Sequence, residues 1–231
     1  MNEPFPYADG ELRTVGAPTW TRSSGTSDDL FVASSKVVIN DTNNDDDTGT
    51  FIGAASVNSG KIFASFTLLG DANDVSTSNA GSEFFAAFGA GTARYARIFP
   101  GHPGGTTSGF YRLGITNAAD TAGASFLSGE FSATTAIQVV IRFDYATSQS
   151  TLWVNPTSES DAGFTAVDAL TPNAINRFAF RQPGPSQGTA MGDYSIDNLL
   201  VGTSFADVVP EPGTIGLLVV AGSMLLGRRR A

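Results

Sequence analysis

Residues 137–155 read IQVVIRFDYATSQSTLWVN. Ile137, Val139, Ile141 and Phe143 fall on one side of an extended chain, with Gln138 and Arg142 on the other. A period of two buries one face and leaves the other to water, as an antiparallel strand in a sandwich requires. The polar break after Tyr145 and the second run, 150–155, predict strand, short turn and return strand.

The same signal recurs along the chain. Runs rich in β-branched and aromatic residues occupy 36–40 (KVVIN), 61–69 (KIFASFTLL), 82–88 (SEFFAAF) and 94–99 (RYARIF). Further runs occupy 110–115 (FYRLGI), 176–181 (NRFAFR) and 194–201 (YSIDNLLV), and in NRFAFR Phe178 and Phe180 oppose Arg177 and Arg181. Polar stretches at 41–49, 70–82, 99–109 and 181–193 are expected as loops. No apolar stripe of helical period is sustained before residue 209, so helices there should be few and short. The expectation is an all-β, antiparallel two-sheet β-sandwich, favoured over a barrel.

Composition agrees. The 231-residue chain is 41% hydrophobic and 15% charged, the latter below the roughly 25% of ordinary soluble domains. Its 26 glycines and 11 prolines favour turns over long helices. Setting aside Glu211 and the C-terminal arginines leaves ten basic and 21 acidic residues, a net of −11 on residues 1–209. Such a body repels a phosphate backbone, which argues against nucleic acid as a partner. With no cysteine, disulfides, thiol nucleophiles and cysteine zinc sites are excluded.

Three stretches carry a resemblance. RFDYATSQSTLWVNPTSE (142–159) and GDYSIDNLLVGTSFADV (192–208) resemble a hairpin and the closing strand of concanavalin A-like and laminin-G-like jelly-roll domains. EPFPYADGEL (3–12) is similar to the entry segment of bacterial surface proteins with such sandwiches. The resemblance implies a sandwich domain over 1–208.

The chain closes on VVPEPGTIGLLVVAGSMLLGRRRA (208–231), assigned from 209 onward to a separate tail. Residues 214–227 are uncharged and as a helix would span about 21 Å, short of the roughly 30 Å bilayer core. Arginines that snorkel extend that reach, and the positive-inside tendency leaves the acidic domain outside. One C-terminal transmembrane helix is therefore expected. Pro210, Glu211 and Pro212, the apolar run, and Arg228, Arg229 and Arg230 together resemble the PEP-CTERM sorting tail of Gram-negative bacteria. That resemblance implies export through the secretory machinery and recognition by an exosortase. It also implies transient residence in the inner membrane on the way to the cell surface or extracellular matrix. A plain membrane anchor is the alternative. Because MNEPFPYADG has neither a basic nor an apolar region, a signal peptide is expected further upstream.

Chemistry is sparse. No G-x-S-x-G occurs, and His102, the single histidine, sits in a glycine-rich stretch. Glu159 and Asp161 come nearest to a glycosidase carboxylate pair, on a turn-like segment unsuited to that geometry. Asp41, Asn43 and Asp45 have the alternate spacing of calcium ligands, but Asp46 replaces the loop glycine and Ile52 the final glutamate, so a solvated turn is the alternative. Apart from calcium no cofactor is implied. Trp20 and Trp153 would stack on sugars if exposed, although core packing is the default for a strand tryptophan. Arg97, Arg112, Arg142 and Arg177 lie opposite apolar neighbours and are expected to line one solvent-facing sheet, able to grip an acidic exopolysaccharide. The reading is a non-enzymatic, exported surface or matrix protein, with a carbohydrate-binding module as the alternative and a glycoside hydrolase behind it.

Overall fold

The hairpin expected over 137–155 is formed by strands Ile137–Asp144 and Gln149–Val154. Asp144 Oδ1 accepts from the Ala146 amide at 2.9 Å, shaping the turn, and Ser148 takes φ 56°. Asn155 closes the open end: its amide donates to Gln138 O, and its Oδ1 accepts from the Gln138 amide.

The computed structural model describes residues 1–25, 30–40, 46–51, 56–75, 83–91, 93–102, 107–117, 125–171, 173–183 and 191–210. Its strands in chain order are β1 (Asn2–Glu3), β2 (Gly10–Glu11), β3 (Trp20–Gly25), β4 (Phe31–Ala33), β5 (Lys36–Ile39), β6 (Asp46–Phe51), β7 (Lys61–Val75) and β8 (Ala86–Ala90). There follow β9 (Ala93–Gly101), β10 (Phe110–Thr116), β11 (Ser125–Phe126), β12 (Phe131–Ser132), β13 (Ile137–Asp144), β14 (Gln149–Val154), β15 (Phe164–Thr165), β16 (Arg177–Gln182) and β17 (Gly192–Gly202). Among the described residues, helical structure is limited to Leu12–Val15 and a 3₁₀ turn at Phe205–Asp207.

Two antiparallel sheets form the sandwich. One has nine strands in the order β15-β14-β13-β7-β17-β5-β4-β2, with β1 also on β17; the other has eight, β11-β10-β9-β8-β16-β6-β3, with β12 on β10. Inward-facing aromatic rings join them: Phe66 meets Phe178 and Phe180, and Tyr95 meets Phe143 at 5.0 Å. Each such side chain contributes about 1.5–3 kcal/mol on burial, which ties the alternation of each strand to the sheet it must face.

Polar clamps lock the two layers. Asn117, fully buried, accepts from the Ala96 amide of β9 and from Ser150 Oγ of β14 through its Oδ1, and donates from Nδ2 to Asp168 O. At the N-terminus Glu3 accepts from the Phe5 amide, Tyr7 Oη and Trp20 Nε1. Burial, with Glu3 beside it, pushes the Tyr7 phenol up to about 12.

Several expected loops prove partly extended. Asp46–Phe51, within and beyond the acidic stretch 41–49, is a strand between β16 and β3. DDTGTF lacks an alternating apolar face, so its strand is set by the two neighbours that pair with its backbone. β7 likewise continues to Val75, β9 to Gly101 and β16 to Gln182, whereas β8 begins only at Ala86.

Candidate ligand-binding site

The site arises where β7 departs from β17. Ser195 pairs with Leu69 on one flank and Val38 on the other, and Tyr194 pairs with Gly70. The register then breaks, and the next pair is Gly192 with Val75. Asp71–Asp74 on β7 thus stand against Asp193 alone, a bulge that parts two inner strands of the sheet at their ends.

The step lines an open cleft of about 350 Å³. Val38, Leu69 and Ala133 supply apolar wall, and Asp71, Asp193 and Ser195 supply acceptors. Neutral amides orient both carboxylates: Asp193 Oδ2 accepts from Asn40 Nδ2 at 2.8 Å, and Asp71 Oδ1 accepts from the Asn73 amide and Nδ2 at 2.8 and 3.1 Å. A Cβ on Gly70 would crowd the floor, standing 3.1 Å from Ala133 Cβ and 3.4 Å from Tyr111 Cε1. The Tyr111 hydroxyl is buried under this floor without a hydrogen-bond partner, and burial raises its pKa. An apolar wall beside fixed acceptors suits a ligand with one apolar face and hydrogen-bond donors around it.

None of these residues stood out in the sequence, because a register break between strands far apart in the chain has no local signature. Leu69 did fall on an expected strand, and the aspartates on an expected loop.

The arginines separate. Arg97, Arg112 and Arg177 lie on β9, β10 and β16 of the eight-stranded sheet, whereas Arg142 lies on β13 of the nine-stranded sheet. The four therefore do not share one sheet. Near Ala96 (φ 51°) the β8–β9 register shifts, and Tyr95 and Ala96 both enter the core. Arg94 and Arg97 are largely enclosed, at 5% and 9% exposure. Arg94 donates to Gly91 O, Ala93 O and Ser23 Oγ, and Arg97 and Arg181 both lie over the Phe84 ring at 5.2 and 4.9 Å. Desolvation, with Arg94 and Arg181 nearby, lowers the Arg97 pKa. Arg112 pairs with Glu130 at 3.3 Å.

Trp153 is 3% exposed, its Nε1 donating to Asp161 O, with Arg142 5.3 Å from its ring. Enclosed in this way it offers no face to a sugar, and Trp20 is buried as well. Glu159 accepts from Lys61 Nζ and Arg142 Nη1, while Asp161 accepts from the amides of Thr157 and Ser158. Both carboxylates are thus engaged in holding the turn. Pro210 is the last described residue of the sorting motif; Glu211, Pro212, the expected transmembrane helix and Arg228–Arg230 lie outside the described residues, as do Asp41, Asn43 and Asp45. Among the described residues no helix is long and apolar enough to cross a membrane, and no cluster of three metal-binding side chains occurs.

No protein-family model matches the chain, and no curated protein matches it in sequence. Among solved structures it is similar to the CBM2 module of the evolved Dit protein of Lactobacillus casei BL23 phage J-1, at 12% identity and TM-score 0.51 over 86% of this chain and 93% of that one. It is similar also to a sialidase, at 14% identity and TM-score 0.51 over 87% of this chain. The likeness is one of fold. The chain spans 19% of that sialidase's length. The carbohydrate recognition domain of Emp47p aligns over 80% of this chain and 88% of its own, at 10% identity and TM-score 0.48.

Proposed function

We propose that this chain is a non-enzymatic carbohydrate-binding domain of an exported envelope or matrix protein, with the β7–β17 cleft as its sugar site. The observation that carries the reading is the cleft itself: Val38 and Leu69 on one register row with Ser195, flanked by Asp71 and Asp193. Its volume of about 350 Å³ lies at the small end of ligand cavities, roughly 300–1,000 Å³. The fold shared with a CBM2 module supports the same reading. The Pro210-Glu211-Pro212 tail with its arginine end supplies the address: export, exosortase recognition and delivery to the surface.

Retention of the full chain on immobilised polysaccharides tests the binding reading. Leu69→Glu, which fills the cleft with charge, is expected to abolish retention with little loss of thermal stability. Failure of the unaltered protein to bind any polysaccharide overturns it. For the tail, mass spectrometry of the secreted protein is expected to show loss of the segment after the Pro-Glu-Pro motif, and Glu211→Ala is expected to leave the tail attached.

A further inference from the structure

β17 ends at Gly202, and the chain from there to Pro210 does not trail into solvent. The Thr203 and Ser204 amides donate to Asp207 Oδ2 at 3.0 and 2.9 Å, and the Val208 and Val209 amides donate to Phe205 O. Val208 is fully buried and Val209 nearly so, in a cluster with Phe63, Val140 and Trp153 that lies apart from the main core. Ser65 Oγ donates to Val208 O at 2.7 Å. The last docked residue thus directly precedes the Pro-Glu-Pro motif, whose Pro210 lines a groove with Leu200, Gly202 and Asp207.

We infer that residues 203–209 form a latch: docked, it shields the sorting motif, and its release, with the sandwich still folded, admits the processing enzyme. This step rests on the reading of the tail above. A protease cuts exposed chain, and reaches a packed segment only in its transiently opened state. Residues 210–213 alone separate Val209 from the uncharged run at 214, a reach of about 14 Å at most. Release of 203–209 adds roughly 23–25 Å, enough to carry the motif clear of the sandwich. Release costs the sheet none of its ladder, because β13 pairs with β7 and β14 through residues of those strands alone. A satellite cluster held by one turn and two valines therefore opens more readily than the strands beneath it.

Two measurements on the full chain test the latch: hydrogen exchange followed by NMR, and processing followed by mass spectrometry in a Gram-negative host that carries an exosortase. The Val208 and Val209 amides are expected to exchange at least about tenfold faster than those of Val140 and Ile141. The double variant Phe205→Ala, Val208→Ala loosens the strap and should speed processing at least about threefold. An insertion of about six Gly/Ser residues between Val209 and Pro210 lengthens the reach with the strap still docked, and should speed processing likewise. Asn117→Ala, which weakens the sandwich away from the strap, should leave the processing rate unchanged. Strap amides that exchange in step with β13 overturn the latch and leave the sorting reading standing. So does equal processing of parent, strap variant and insertion, or an Asn117→Ala protein processed as fast as the strap variant. No processing of any of these proteins overturns the sorting reading and the latch with it.

Discussion

The indole of Trp153 and the ring of Phe205 meet edge to face, 6.1 Å between centroids and 76° between planes. Phe205 belongs to a short strap that crosses the outer face of the nine-stranded sheet just before the Pro-Glu-Pro motif. Val208 and Val209 in the strap bury against Phe63, Val140 and Trp153, and Val208 O accepts from Ser65 Oγ at 2.7 Å. Val208→Ala removes two buried methyl groups and is expected to cost about 1–3 kcal/mol. Chemical denaturation measures the loss. A red shift in tryptophan emission from Phe205→Ala would report uncovering of the indole.

Gly163 lies against the same tryptophan. A Cβ there would fall 2.4 Å from Trp153 Nε1 and 2.9 Å from Thr151 Cγ2. Gly163→Ala must push the indole or the turn aside, which typically costs about 1–3 kcal/mol. The variant should melt earlier than the parent while Gly91→Ala, whose Cβ would meet nothing within 4 Å, loses stability only through its φ of 59°.

Acid stability depends in part on Glu159. Its hydrogen bond from Lys61, and then that from Arg142, hold its carboxyl below the ordinary value of 4.5. A lowered folded-state pKa contributes stability that is present above that value and is lost as pH falls through the folded one. Glu159→Gln should therefore lower the melting temperature slightly near neutrality, since the pair is partly exposed and screened. The gap between variant and parent should close as pH is lowered from 4.5. A gap that widens in acid would contradict the assignment.

Asn117 ties β9 and β14 together from inside the sandwich. Asn117→Ala leaves the Ala96 amide and Ser150 hydroxyl without their acceptor inside the sandwich. At about 1–3 kcal/mol for each orphaned buried group, the expected loss is about 2–6 kcal/mol in equilibrium unfolding. Asn173→Ala, which removes a side chain but keeps the backbone contacts to Tyr145 and Tyr95, serves as the comparison and should change little.

Strand identity was legible wherever one face is apolar. Ile137, Val139, Ile141 and Phe143 are all buried as their spacing requires, and so are Phe178 and Phe180. It was not legible in β6, whose place depends on β3 and on the distant β16, where Asp46 pairs with Gln182. Nor was the grouping of the arginines: a period of two would put Arg94 with Ala96 and Arg97 with Tyr95, but the shift at Ala96 turns Tyr95 and Ala96 both inward. The cleft was hidden for the same reason, since Asp71 and Asp193 come to line it only through the pairing of β7 with β17.

The sequence by itself determined an all-β chain with alternating faces, an acidic body and an uncharged C-terminal run between Pro-Glu-Pro and three arginines, because local spacing, composition and contiguous motifs are properties of the chain. Tertiary structure decided which strands are neighbours, which arginines are enclosed, that Trp153 is covered by the segment leading to the tail, and where the sheet opens. Those depend on register between segments distant in sequence, and register follows from the summed burial of whole faces rather than from any one stretch.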